Sequence, residues 1–179
     1  MKYFKKISGE KIYLSPMNLE DLDTYAVWLN DAVVSHGLGM ADESLNAEEE
    51  LEYFKNGMTD GDWHFSIVRQ SDDVLLGYIG IQCSNRTVST AEIKFFVGDA
   101  ENRGKGYGTE ALRLACRYAF DNLNIQSLSL WLSGYSEYTI NTYKRVGFKE
   151  TGRLSENYLI DGKYYDKILM ELDKENMTD

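Results

Sequence analysis

From Trp63 to Val97, apolar and aromatic positions fall in short runs separated by polar turns; on either side of that block they recur at helical spacing. Lys11-Ile12-Tyr13-Leu14-Ser15 predicts a short strand stopped by Pro16, the chain's only proline. Asn18 then stands before Leu19-Glu20-Asp21-Leu22 as a helix N-cap with acid in the first turn. Leu19, Leu22, Ala26, Leu29 and Val33, flanked by Tyr25 and Trp28, predict one helix with a single buried face. His36 to Met40 reads as a loop, and a second helix is expected from about 46 to 56 around Leu51, Tyr53 and Phe54. Strands follow at Trp63–Arg69, Val74–Cys83 and Thr90–Val97, joined by the polar turns Gln70–Asp73 and Ser84–Ser89, which gives an antiparallel meander. A long helix from about Tyr107 to Leu123 buries Ala111, Leu112, Ala115, Cys116, Ala119, Phe120 and Leu123.

The next strand, Ser127–Leu132, comes after a strand–helix unit and so should lie parallel to Thr90–Val97. A short helix, Thr139–Val146, ends at Gly147. Asp161-Gly162 joins two last strands near Gly152–Leu159 and Tyr164–Leu172 as a hairpin, and Lys174–Asp179 is expected to fray. The order β-α-α-β-β-β-α-β-α-β-β predicts one α/β (α+β) domain over residues 1–179, with a core of about 11–172 and a mixed, mostly antiparallel sheet.

Composition changes this picture little. The chain is 43% hydrophobic and 27% charged, and no apolar run reaches the roughly 18 residues of a membrane helix. The basic start, Met1 to Ser8, has no apolar stretch behind it and is not a signal peptide. Cys83 and Cys116 have no metal-ligand spacing and read as reduced, buried thiols, so no metal is expected and a cytoplasmic location is. A net charge of −10 argues against nucleic acid and anionic membrane as partners. Between Asn18 and Asp62 stand twelve carboxylates and one basic residue, Lys55. They make either solvated helix faces or an electronegative wall for a cationic substrate.

The stretch with chemical content is Asn102-Arg103-Gly104-Lys105-Gly106-Tyr107-Gly108-Thr109-Glu110-Ala111, between a strand and a helix. Alternate glycines remove Cβ atoms and permit positive φ, so successive N–H groups can converge on one anion. The helix start adds unpaired donors and a partial positive charge, and Arg103 and Lys105 add formal charge. The spacing is neither that of a P-loop nor the Gly-x-Gly-x-x-Gly of dinucleotide folds.

The pattern Arg103-x-x-Gly106-x-Gly108 resembles the acyl-CoA loop of the GNAT N-acetyltransferases. Three further segments extend the likeness over about Lys11–Leu172: Ala91-Glu92-Ile93, Tyr143-Lys144-Arg145-Val146-Gly147-Phe148, and Gly152-Arg153-Leu154-Ser155-Glu156-Asn157 with Asp161-Gly162-Lys163-Tyr164-Tyr165-Asp166. They resemble the branch that holds ribosomal-protein alanine and spermidine acetyltransferases. The resemblance implies helices on both sheet faces and a splayed central parallel pair of strands. It implies that the main chain at Phe96 and Val97 holds the pantetheine arm, and that Arg103, Gly104, Lys105, Gly106, Tyr107, Gly108 and Thr109 hold the pyrophosphate of acetyl-CoA.

Direct attack of an amine on the thioester then leaves two proton tasks. An amine of pKa about 10.4 must lose a proton, and Glu92 is the matching base; it reads equally as a glutamate that orders a loop or binds the substrate's cation. Tyr143 matches the family's general acid for the departing thiolate. Full transfer from a phenol to a thiolate is uphill by roughly 2 kcal/mol, so a hydrogen bond that strengthens as charge develops serves as well. Ser136 stands where the family usually has an asparagine that contacts the cofactor, and a hydroxyl reaches less far.

His36 and His64 have no partner identifiable in sequence and read as structural, while Trp28, Trp131 and Tyr135 are candidates for lining an acceptor pocket. The resulting expectation is an acetyl-CoA-dependent N-acetyltransferase acting on a primary amine. The expected acceptor is a cationic small molecule (a polyamine or an aminoglycoside-like amine), a protein N-terminus, or an amino sugar or amino acid. Rival readings are a non-catalytic CoA-binding regulatory module and a nucleotide-binding enzyme. Edge-strand pairing through the C-terminal hairpin offers a route to a homodimer.

Overall fold

The computed structural model describes residues 2–38, 52, 62–83 and 89–178. Among them the strands are β1 (Ile7–Ser8), β2 (Ile12–Pro16), β3 (Trp63–Arg69), β4 (Leu75–Gln82), β5 (Thr90–Val97), β6 (Ser127–Ser133), β7 (Lys149–Ile160) and β8 (Lys163–Asp173). The helices are α1 (Leu22–Leu29), α2 (Ala32–Leu38), α3 (Tyr107–Asn122) and α4 (Glu137–Lys144). The strands form one sheet in the order β1-β2-β3-β4-β5-β6-β8-β7. Every neighbouring pair is antiparallel except β5–β6.

That parallel pair is short. Thr90, Ala91 and Glu92 register with Ser127, Leu128 and Ser129, and the ladder then stops although both strands continue. The edge of β5 from Ile93 to Val97 therefore faces an opening in the middle of the sheet, the splay that the family resemblance implies.

Alternation along the strands sorts the core into two layers. Ile79, Ile81 and Ile93 point to the side covered by α3, whose Ala111, Leu112, Ala115, Cys116, Ala119 and Phe120 are buried against them. Their neighbours Tyr78 and Phe96 point the other way, into a second cluster with Tyr25, Trp28, Leu29 and Val34 of α1 and α2. At roughly 25 cal/mol per Å² of apolar surface, the two layers supply the main favourable term for the fold. Leu123, expected in the core, is only partly buried beside it.

Several boundaries differ from the sequence-based expectations. The first helix is a single 3-10 turn, Leu19–Asp21, followed by α1 and α2 as separate segments. The break has a local cause. Asn30 Nδ2 donates back to Ala26 O at 2.8 Å, and Asp31 Oδ1 accepts from the N–H groups of Val33 and Val34 at 3.1 and 3.3 Å, capping α2. The new start turns Val34 inward and leaves Val33 exposed, and it places His36 on a helix, not in a loop. Of the helix expected over 46–56, only residue 52, which is helical, is among the described residues.

The ends are also tied down more firmly than expected. Tyr3 is buried and donates to Asp21 Oδ2 at 2.9 Å, and β1 pairs with β2. Lys174–Asn176 forms a 3-10 turn in place of a frayed tail, and Thr178 donates through N to Val146 O at 3.0 Å and through Oγ1 to Arg145 O at 2.8 Å. Gly147, at φ +112°, lets the tail pass close, because a Cβ there would collide with the carbonyl of Asn176. The Asp161-Gly162 turn forms as expected, with positive φ at both residues (48° and 74°).

Candidate active site

The glycine stretch folds into a turn that ends as the first turn of α3. Gly104 and Gly106 take φ of 77° and 88°, which only glycine adopts without strain, and Gly106 is the N-cap. The first main-chain bond of the helix is Glu110 N to Gly106 O at 3.0 Å, so the N–H groups of Tyr107, Gly108 and Thr109 have no acceptor within the helix. Gly108 needs its missing side chain for packing: a Cβ there would lie 2.9 Å from Cε2 of Phe95.

Cationic side chains surround this turn in an otherwise acidic chain. Arg103 donates Nε to Val97 O at 3.1 Å and Nη2 to Gly98 O, and pairs with Asp31 at 3.2 Å, so its guanidinium clips the loop to the end of β5. Lys11, which sequence reasoning passed over, donates Nζ to Lys105 O at 3.4 Å. Arg69, missed likewise, is held two-pronged by Asp72 (2.8 and 2.9 Å) and donates Nη1 to the buried Asn102 at 3.2 Å. Strand β3 and the hairpin before β2 bring these residues to the loop, and no local pattern marks them in the sequence.

A cavity of about 450 Å³ occupies the opening between β5 and β6. Lys94 to Val97 form one wall and Leu130 to Leu132 the other, with α2 above and Ser136 and Tyr143 from the segment after β6. Of the residues singled out from sequence, Phe96, Val97, Arg103, Gly104, Gly108, Ser136 and Tyr143 line it. Lys105, Gly106, Tyr107, Thr109 and Glu92 do not form its described wall.

The backbone expectation for Phe96 needs correction. Gly98 N donates to Leu76 O at 2.9 Å, and Gly77 registers with Val97, Tyr78 with Phe96. Antiparallel pairs alternate, so the N–H and C=O of Phe96 turn toward β4 while those of Phe95 and Val97 face the opening. Phe96 contributes its ring to the wall instead. The Val97 carbonyl already accepts from Arg103.

Tyr143 reaches the floor of the cavity from α4 and is only 3% exposed. Its ring meets Phe95 and Phe148 edge-on, each at 5.3 Å between centroids. Burial is the main cause that raises its phenol well above the ordinary value near 10, reinforced by Cys116 and Glu92. Burial likewise pushes the Cys116 thiol up and keeps it protonated. Ser136 is the N-cap of α4, with Oγ accepting from Thr139 N at 3.3 Å and Thr139 Oγ1 at 3.0 Å, so this hydroxyl is engaged in holding the helix that carries Tyr143.

Glu92 projects from the face of β5 opposite to Phe95, toward the α1 side, and its carboxylate lies 3.6 Å from Lys94 Nζ with 31% of the side chain exposed. On that same face His64 Nδ1 is 2.7 Å from Tyr78 Oη, a partner invisible in sequence because it forms across strands. His36 packs edge-on against Tyr135 at 5.3 Å. Trp131 lines the cavity, whereas Trp28 is buried and donates Nε1 to Asp99 at 2.9 Å. Among the described acids of the first third, Asp21 holds Lys2 and Tyr3, Asp31 holds Arg103, and Asp62 accepts from Cys83 N. Asp42, Glu43, Glu48, Glu49, Glu50 and Asp60 lie outside the described residues.

A sheet opened between parallel strands, a helix start rich in free donors at its mouth and a buried phenol on its floor define an acyltransferase that uses a thioester of coenzyme A. The acetyltransferase (GNAT) domain family matches residues 11–149, and the chain belongs to that family. It is similar to a probable N-acetyltransferase of Bacillus subtilis (27% identical over 168 residues, 89% of this chain and 92% of that one). It is also similar to spermidine N(1)-acetyltransferase of Escherichia coli K12 (28% over 165 residues, 91% and 86%). Its fold is that of the spermidine N-acetyltransferase of Vibrio cholerae solved with CoA and spermine, at a TM-score of 0.83 and 21% identity, covering 94% of this chain and 98% of that one. The protein is an acetyl-CoA-dependent N-acetyltransferase. Among the described residues no helix is long and apolar enough to cross a membrane, and no group of three or more ligand-type side chains could hold a metal ion.

Proposed function

We propose that the protein acetylates a primary amine by direct transfer, with a polyamine-like cation as the acceptor. The observation that carries this reading is the opening of β5 from β6 after Glu92, with Tyr143 buried beneath it and Lys94, Phe96 and Trp131 facing the other side. Two reactants can approach one point through that gap from opposite faces of the sheet, so catalysis is largely their alignment.

In this reading the N–H groups of Tyr107, Gly108 and Thr109 receive the pyrophosphate, aided by the charges of Arg103, Lys105 and Lys11. The open-edge groups of Phe95 and Val97 hold the pantetheine arm as an added strand would. Acetyl-CoA supplies the acyl group. Tyr143, kept protonated by burial, donates to the leaving sulfur. Glu92 stands on the acceptor face, where it removes the amine's proton through water or holds its charge.

The spermidine enzymes among the relatives and the acid-rich stretch from Asn18 to Asp62 support a polyamine; a protein N-terminus is the second acceptor class. Initial rates of thiol release with spermidine, spermine, an alanyl peptide and an amino acid test the reading. Polyamine saturation at lower concentration than the peptide is expected; the reverse order assigns the peptide. CoA binding with no amine-dependent release would leave a CoA-binding regulatory module. A second copy docking along the exposed strand β7, at the sheet's edge, belongs to the same proposal, and light scattering in solution measures it.

A further inference from the structure

Resting on the acetyl-transfer reading above, we infer that Tyr78 and His64 form the proton exit for the acceptor amine. Tyr78 takes the amine's proton as it hands its own to His64, and Glu92 is left to hold charge. Tyr78 lines the cavity from β4, on the face that carries Lys94 and Phe96. Its hydroxyl lies 2.7 Å from Nδ1 of the buried His64, and the two rings stack at 26° with centroids 5.9 Å apart.

Gly80 makes that geometry possible. It sits directly between His64 and Lys94 in the sheet register, and Tyr78 folds back over it. A Cβ on Gly80 would collide with Tyr78 Oη and lie 2.8 Å from Cζ. Lys94, which neighbours Gly80 across the ladder, lines the cavity together with Tyr78. Tyr25 and Phe96 hold the phenol ring in place, at 6.2 and 5.7 Å between centroids.

The chemistry balances without any further reactant. As the nitrogen bonds to the carbonyl carbon it becomes far more acidic than the free ammonium. The C–S bond breaks, and the thiolate departs hydrogen-bonded to the Tyr143 hydroxyl, which keeps its own proton because burial raises it; the thiolate takes up a proton from water on release. The proton on nitrogen moves to Oη of Tyr78 while the phenolic proton moves to Nδ1 of His64, so no phenolate forms. After the amide leaves, the proton passes back from His64 through Tyr78 to water in the cavity, since Nε2 of His64 is buried. Burial lowers the affinity of His64 for a proton, and Asp62 acts in the opposite sense, which favours a neutral ring; in the tautomer with the proton on Nε2, Nδ1 accepts from Tyr78 Oη. Besides Asp62, the titratable groups on the elements packed here are Tyr78 of β4, Lys94 and Glu92 of β5 and Tyr25 of α1. Glu92 is a poorer exit because Lys94 pairs with it and it does not form the described wall.

The test compares Tyr78→Phe, His64→Asn and Glu92→Gln with wild type in kcat, in KM for acetyl-CoA and in pH profile. Tyr78→Phe is expected to lower kcat at least about tenfold with KM for acetyl-CoA within about threefold. His64→Asn keeps an acceptor for the phenol but takes no proton. It should lose a similar factor, along with the acid limb expected of wild type below the ordinary histidine range. Glu92→Gln should affect the acceptor's KM more than kcat. The proposal is overturned if Tyr78→Phe keeps kcat within about threefold, if His64→Asn retains the acid limb, or if the 15N spectrum of wild type shows His64 Nδ1 protonated at neutral pH. That spectrum decides the matter even if a variant fails to fold. A wild type that transfers to no amine sinks the acetyl-transfer reading first, and this inference with it.

Discussion

Tyr143 and Gly108 are joined through one ring. Phe95 meets Tyr143 edge-on at 5.3 Å and occupies the space that a side chain on Gly108 would need. The helix start and the phenol, to which the proposed function gives the pyrophosphate and the leaving sulfur, are thus set against the same residue of β5.

Gly108→Ala should therefore reach the chemistry as well as binding. Its Cβ would press on Phe95, and on Val97 Cγ2 at 3.4 Å, and through Phe95 on Tyr143. Steady-state kinetics are expected to show kcat down at least about tenfold together with a raised KM for acetyl-CoA. Gly104→Ala meets no atom within 4 Å but must hold φ near 77°, a strain of roughly 1–2 kcal/mol. It should change KM and spare kcat.

Tyr143→Phe keeps the packing and removes the hydroxyl proposed to meet the leaving sulfur. Turnover should fall at least about tenfold, roughly 1.4 kcal/mol of barrier. Stability gives a second reading. The folded phenol is raised above the ordinary value of 10, so the unfolded chain releases this proton first. Its contribution is intact below about pH 10 and is lost as pH rises further, by up to about 1.4 kcal/mol per pH unit. Urea unfolding should show the wild type losing ground to Tyr143→Phe only above pH 10; a constant difference across pH 8–11 would contradict the burial argument.

Arg103 acts as a fork across Val97 O, Gly98 O and Asp31. A lysine carries the charge but cannot span those acceptors. Arg103→Lys is expected to raise KM for acetyl-CoA about tenfold (roughly 1.4 kcal/mol) with kcat nearly unchanged, and a KM equal to wild type would show that charge alone matters.

The C-terminal turn should matter for stability. Removing residues 174–179 frees the Val146 and Arg145 carbonyls from Thr178, and Gly147→Ala drives a Cβ into Asn176. Each change is expected to cost about 1–3 kcal/mol in urea unfolding. An unchanged midpoint for the truncated chain would restore the expectation of a frayed tail.

The strands from Trp63 to Val97, the long helix and the Asp161-Gly162 hairpin were legible because periodicity and turn chemistry are local signals. So was the turn before the long helix, since alternating glycines permit the positive φ that Gly104 and Gly106 adopt. The break at Asn30-Asp31 was hidden because the apolar spacing runs across it, and only the side-chain bonds of those two residues interrupt the helix. The direction of the Phe96 main-chain groups depends on β4 register, which the sequence of β5 does not contain. Arg69, Lys11 and the His64–Tyr78 pair join the site by cross-strand or long-range approach, and each looks ordinary in its own segment. Ser136 was noted as a departure from its relatives, yet its capping of α4 needed the helix start to be seen.

The central claim is that an acetyl group passes from coenzyme A to an amine through the gap between β5 and β6. The most direct measurement incubates the wild-type protein with acetyl-CoA labelled in the acetyl carbons and with spermidine, then follows the label and the free thiol by mass spectrometry. The account predicts labelled N-acetylspermidine or, with a peptide in its place, a labelled N-terminus, formed in step with thiol and lost in Tyr143→Phe. Tight binding of CoA with no label on any amine would contradict it.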